Sequence, residues 1–173
     1  MLLVGVMVLA QTAHADPLVG VFGNYTHLGG VQAGGFGLDV ELRAKRGSVE
    51  YFAEGAVAYL VVGATDSDQT GIEGRTGAGV RWIARSSPTG FDLYVDGGIG
   101  LEGYWWSGRH VVRPDATLGW GWQIRQGTVS LRSGLRAMLA NDQQGIAVAC
   151  RGCAVSPAEA VDMGILAVMG MTW

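Results

Sequence analysis

Along most of this chain apolar and polar residues alternate one for one. In GGFGLDVELRAKRG, from Gly34 to Gly47, the apolar Phe36, Leu38, Val40, Leu42 and Ala44 are interleaved with Gly37, Asp39, Glu41, Arg43 and Lys45. A period of two places neighbouring side chains on opposite faces of an extended strand. The same rhythm recurs and predicts strands over 18–25, 34–47, 49–61, 74–84, 91–105, 116–125, 129–139 and 161–173. The Lys45-Arg46-Gly47, Ser86–Gly90 and Gln126-Gly127 stretches read as tight turns. The Asp66-Ser67-Asp68 region, Ser107 to Pro114 and Asn141 to Pro157 read as longer links, and His27 to Val31 as a short one. One end of the sheet is therefore expected to carry turns and the other loops.

Each strand has one greasy face and one that is charged or made of glycine. The second face carries Asp39, Glu41, Arg43, Glu50, Glu54, Arg75, Arg81, Asp92, Asp96, Glu102, Arg125, Arg132, Arg136 and Asp162, with glycines such as Gly77, Gly98 and Gly119 between them. Acidic and basic strands tend to neighbour each other, as a buried network requires if no charge is to stay unpaired. A water-facing surface would be rich in lysine, yet Lys45 stands alone among the twelve basic residues. Arginine, with its fork of donors, suits shared buried pairing. Glycine weakens a solvated strand, but inside a narrow barrel it leaves room for long side chains. On the apolar face Tyr25, Tyr51, Tyr59, Phe91, Trp105, Trp120, Trp122 and Trp173 gather toward strand ends, like the aromatic girdles of membrane barrels.

Composition adds bounds. The 173 residues are 49% hydrophobic and only 16% charged, with 29 glycines. A net charge of -3 argues against nucleic acid as a partner. No apolar run is long enough for a spanning helix. Residues 1–15, MLLVGVMVLAQTAHA, read as a secretory signal: an apolar Leu2–Ala10, then Ala13-His14-Ala15 as a cleavage site. No basic residue precedes the apolar run. Residues 16–173 form the remaining domain.

The last strand sharpens the reading. Ile165, Ala167, Met169 and Met171 alternate up to the aromatic Trp173. This resembles the C-terminal strand of bacterial outer-membrane barrels. With eight strands, a signal-like start and short turns at one end, the chain resembles the small eight-stranded OmpA/OmpX/OmpW-like proteins. The resemblance rests on pattern and matches no family-specific string of residues. It implies an all-β, antiparallel, up-and-down transmembrane barrel in the bacterial outer membrane, in contact with lipid and lipopolysaccharide. It also implies that Trp173, Met171, Met169 and Ile165 form a signal read by the barrel-assembly machinery, with turns periplasmic and loops extracellular. Eight strands leave an interior about filled by side chains, so a wide pore is not expected. The expected role is non-enzymatic, in the envelope or in binding an extracellular ligand at the loops. A narrow or lateral path for small apolar solutes, as in OmpW-like members, is the alternative, and a lipid A-modifying enzyme a more distant one.

Chemical motifs are sparse. In an exported protein Cys150 and Cys153 read as a loop disulfide rather than a redox or zinc site. Ser107, His110 and Glu102 are the residue types of a hydrolase set without its motif. Asp66 and Asp68 do not make a calcium loop, and GIGLEG and GAGVRW lack the helix a phosphate loop needs. No metal or cofactor is expected.

Overall fold

Eight strands follow one another in the computed structural model, which describes residues 16–28, 31–63, 69–85, 90–106, 109–141 and 161–172. They are β1 (Asp16–Leu28), β2 (Val31–Arg46), β3 (Val49–Val62), β4 (Gln69–Arg85), β5 (Phe91–Trp106), β6 (Arg109–Gln126), β7 (Val129–Asn141) and β8 (Val161–Thr172). Each pairs antiparallel with its sequence neighbours, and β8 returns to β1 to close a barrel. The signal-like residues 1–15, Cys150, Cys153 and Trp173 lie outside the described residues.

The register sets the shape. A row of paired residues runs from Asp16 through Arg43, Phe52, Gly79, Gly98, Thr117, Met138 and Gly164 to Thr26. One circuit thus ends ten residues further along β1, from Asp16 to Thr26. That shear tilts the strands by roughly 40° and brings long side chains from distant strands to one height in the bore. Gly47 and Gly127 open the β2–β3 and β6–β7 turns with φ of 66° and 63°. A two-residue hairpin turn of the primed type asks for a positive φ at that position, so glycine costs nothing there.

One predicted link is corrected. Ser107 to Pro114 is not a loop: β6 begins at Arg109, and only residues 107–108 separate it from β5. Proline argues against a central strand, which is why the sequence misleads. Pro114 lies just past Asp115–Ala140, the last pair β6 makes with β7, so β6 has a partner there on one side only. The strands also run further than the alternation indicates at several ends, β4 starting at Gln69 and not at residue 74.

The wall separates the two faces completely. Phe36, Leu38, Ile99, Leu118, Trp120 and Ile165 stand outward, Phe36 being 70% and Leu118 71% exposed. In water such a belt would be an aggregation surface. In lipid it is the solvated face, and the return of β8 to β1 leaves the middle of the wall without a free sheet edge. Tyr59, Ile72 and Trp105 share one row near the loop end. Tyr51, Trp82 and Phe91 mark the turn end, where Phe91 stacks on Trp122 with ring centres 6.3 Å apart. Ile165, Met169 and Met171 of the last strand belong to this outer face.

Candidate functional site

Polar side chains of β1 to β7 meet in the bore, where they form two connected webs. The turn-end web centres on Arg81 of β4, which is fully buried. Its guanidinium donates to both carboxylate oxygens of Glu41 at 2.8 and 2.9 Å, to Glu50 at 2.5 Å and to Asp96 at 3.0 Å. Those acids come from β2, β3 and β5. Arg132 of β7 shares the same acids, reaching Glu41 at 2.5 Å and Glu50 at 2.8 Å, and adds Gln123 at 3.2 Å. Arg136 reaches Asp96 at 3.0 Å, Glu54 at 2.5 Å and Glu41 at 3.5 Å. Arg43 stands 3.9 Å from Glu50.

Aromatic rings fill the gaps between these ions. Arg81 lies between the Phe52 and Tyr94 rings, 4.8 and 4.9 Å from their centres, and Arg136 lies 5.0 Å from Phe52. The positive group meets the negative ring face while its in-plane donors serve carboxylates. Tyr94 donates its hydroxyl to the Ser133 carbonyl at 3.3 Å. Gly119 is required by this packing: a Cβ there would come within 2.4 Å of the Arg136 side chain and 2.6 Å of Asp96 Oδ1. The plane of ions and rings spans the bore as a septum.

The loop-end web is thinner. Arg113 donates to Glu102, its directly paired neighbour across β5–β6, and to Thr26 at 3.3 Å. Glu102 also accepts from Tyr104 at 2.8 Å. Glu73 accepts from the Asn24 amide. Arg75 bridges Asp115 at 2.7 Å and Glu54 at 3.5 Å, so Glu54 joins the two webs. Above this layer Ala33, Leu60, Val62, Tyr104 and Trp106 pack together without a charge. A second apolar group, Phe22, Ala58 and Leu166 with Ala56 and Val168, lines the β1, β3 and β8 side.

Most charged residues singled out from the alternation therefore stand in the bore, in mutual contact. Arg125 sits at its lower mouth, 3.4 Å from Asp92, and Gln123 donates to Asp92 at 3.0 Å. Asp39 is buried beside Gly20, and its Oδ1 makes no hydrogen bond. Asp162 pairs through its backbone with Ala140. Glu73, Arg113 and Asp115 escape the alternation as read, because β4 starts earlier and the Ser107–Pro114 segment is a strand. The parity of Arg113, Asp115 and Thr117, with Val112, Pro114 and Ala116 between them, carries the missing signal.

The hydrolase set does not assemble from its described members. Glu102 is fully buried in the bore, whereas His110 is paired with Trp105 and exposed on the outer face, so the wall lies between them. Among the described residues no three histidine, cysteine or acidic side chains gather as metal ligands.

No protein-family model and no curated relative matches the chain. Solved structures do. Neisserial surface protein A superimposes with a TM-score of 0.67 over 92% of this chain and 97% of its own, at 10% identity. The outer membrane enzyme PagL gives 0.56 over 89% and 97% at 12% identity. Ail, the attachment invasion locus protein of Yersinia pestis, here bound to the heparin analogue sucrose octasulfate, gives 0.50 over 91% and 95% at 14% identity. At such identities the likeness is one of fold. The chain has the architecture of the small bacterial outer-membrane barrels, a fold that serves a surface protein and an enzyme alike.

Proposed function

We propose that this chain is a non-enzymatic integral protein of the bacterial outer membrane, whose work lies in the envelope itself or in what its extracellular loops bind. The observation that carries the reading is the septum. Arg81, Arg132 and Arg136 are tied to Glu41, Glu50 and Asp96 between the rings of Phe52 and Tyr94, so charged and aromatic side chains from facing strands meet across the bore. A filled barrel serves as an anchor that carries its loops. The test is electrical: purified protein in planar bilayers is expected to stay silent, while steady unit conductances across the membrane would refute the reading. Trp173, with Met171, Met169 and Ile165, serves in this reading as the assembly signal. Deleting Trp173 is expected to lower the amount of folded barrel, and normal insertion would remove that role.

A second reading, lateral passage of small apolar solutes, has one observation in its favour. The β1–β8 ladder is the shortest in the ring, Val19–Thr26 against Gly164–Met171. Around Phe22 it is apolar on both sides: Phe22, Leu166 and Val168 stand inside, and Val21, Ala167 and Met169 line an outer trough of about 710 Å³. Bridging Gly23→Cys to Ala167→Cys, a directly paired couple, would lock the seam. Uptake of a fluorescent apolar probe that the lock abolishes would favour passage over the anchoring role.

A further inference from the structure

Among the described side chains, the charges that reach the barrel surface or its mouth have one sign and lie at one end. Every acidic side chain that the structure describes points into the bore: Asp39, Glu41, Glu50, Glu54 and Glu73 on the first half of the ring, Asp92, Asp96, Glu102 and Asp115 on the second. The described charges that reach the surface are cationic and sit at the turn end. Lys45 and Arg46 are exposed at the close of β2, and Arg125 keeps 36% of its side chain accessible near the close of β6. At the loop end the exposed polar residues described are Gln32, Thr70 and His110.

The depth of the cations matters as much as their sign. Arg46 is paired with Val49, and Val49 with Trp82, so it lies on the outer face in the row of the turn-end girdle. Arg125 follows Ile124, whose paired neighbour Phe91 stacks on Trp122. Aromatic girdles mark the level where acyl chains give way to headgroups. Arg46 therefore carries its guanidinium on the outer face at phosphate depth, while Arg125, which has bore-facing parity and stands 3.4 Å from Asp92, reaches that level from the lower mouth. Arginine at that level offers both charge and a two-pronged donor to a phosphate.

We propose that the turn-end rim is a binding surface for anionic phospholipid headgroups in the leaflet facing the turns, with Arg46 and Arg125 as principal contacts and Lys45 in support. This rests on the membrane-spanning reading. Each basic residue at a membrane surface favours anionic lipid by about fivefold, so two predict a preference well above tenfold at low salt, shrinking as salt screens it.

The experiment compares spin-labelled phosphatidylglycerol and phosphatidylcholine at the protein surface in reconstituted vesicles. The wild type is expected to enrich the anionic label more than tenfold at low salt. Arg46→Gln, which alters only an exposed side chain, should cut the enrichment by about half or more, and Arg46→Gln/Arg125→Gln should abolish it, while Arg46→Lys/Arg125→Lys keeps most of it. Heat-modifiable electrophoretic mobility checks that each variant is folded. Equal partition of the two labels in the wild type, or full enrichment in the double glutamine variant, would overturn the proposal. The first result would leave the rim to an acidic protein partner instead. Failure of the parent reading is distinct: the protein would then remain monodisperse without detergent and enter no vesicle.

Discussion

The two ends of the bore solve one problem, burying ions inside a membrane, by different means. At the turn end each ion is shared. Glu41 of β2 takes hydrogen bonds from Arg81 of β4 and Arg132 of β7, and Asp96 of β5 takes them from Arg81 and Arg136. At the loop end the ions stand nearer to simple pairs, Arg113 with Glu102 and Arg75 with Asp115, beneath an apolar layer around Leu60 and Trp106. A pair is chemically replaceable: remove both charges and the site becomes neutral. A shared hub is not, because three acids lose a partner when one arginine goes. Cross-linking by shared ions should therefore make the turn end the less forgiving half of the barrel.

Four substitutions break or sharpen that contrast, each read as a change in the urea midpoint of the folded barrel in micelles. The largest effect is expected from Arg81→Met, a loss of about 4–5 kcal/mol, since it strips a bidentate partner from Glu41 and further donors from Glu50 and Asp96. Adding Glu41→Gln, Glu50→Gln or Asp96→Asn singly should return little of it. Next comes Arg113→Met, at about 3 kcal/mol. Here Glu102→Gln in the same chain should restore most of the loss, because the stranded charge goes while Tyr104 keeps an acceptor. Rescue of equal size at both ends would show that the hub behaves as independent pairs.

Gly119→Val should cost about 2 kcal/mol, its new atoms being forced against the Arg136 side chain, Asp96 and the Leu135 carbonyl. The smallest effect belongs to Gly55→Val on the outer face. Nothing lies within 4 Å of a Cβ there, so a change within about 0.5 kcal/mol is expected. A large loss at Gly55 would mean that the outer face is packed against something other than fluid lipid.

The difference between faces was legible in the sequence because it depends only on parity along each strand. Phe36 and Asp39 cannot share a side, nor can Trp120 and Gly119, whatever the neighbouring strands do. Strand ends were harder to read. Pro114 and the Ser107-Gly108 pair signalled a loop and hid Arg113 and Asp115, although both continue the parity of Thr117. Glu73 was hidden in the same way, one residue before the point where the β4 pattern becomes regular. Local turn chemistry competes with alternation at such places, and the ladder to a neighbouring strand decides the outcome.

Alternation by itself thus determined that this chain makes strands with a greasy face and an ionised one, and that eight of them follow in hairpin order. Which arginine meets which carboxylate was settled only by closure. Arg132 reaches Glu41 and Glu50 across 91 and 82 residues, contacts that exist because a register displaced by ten residues per circuit brings β2, β3, β4 and β7 to one height. Periodicity is a property of a single strand, whereas the partner of a buried ion depends on the tilt and stagger of the whole ring.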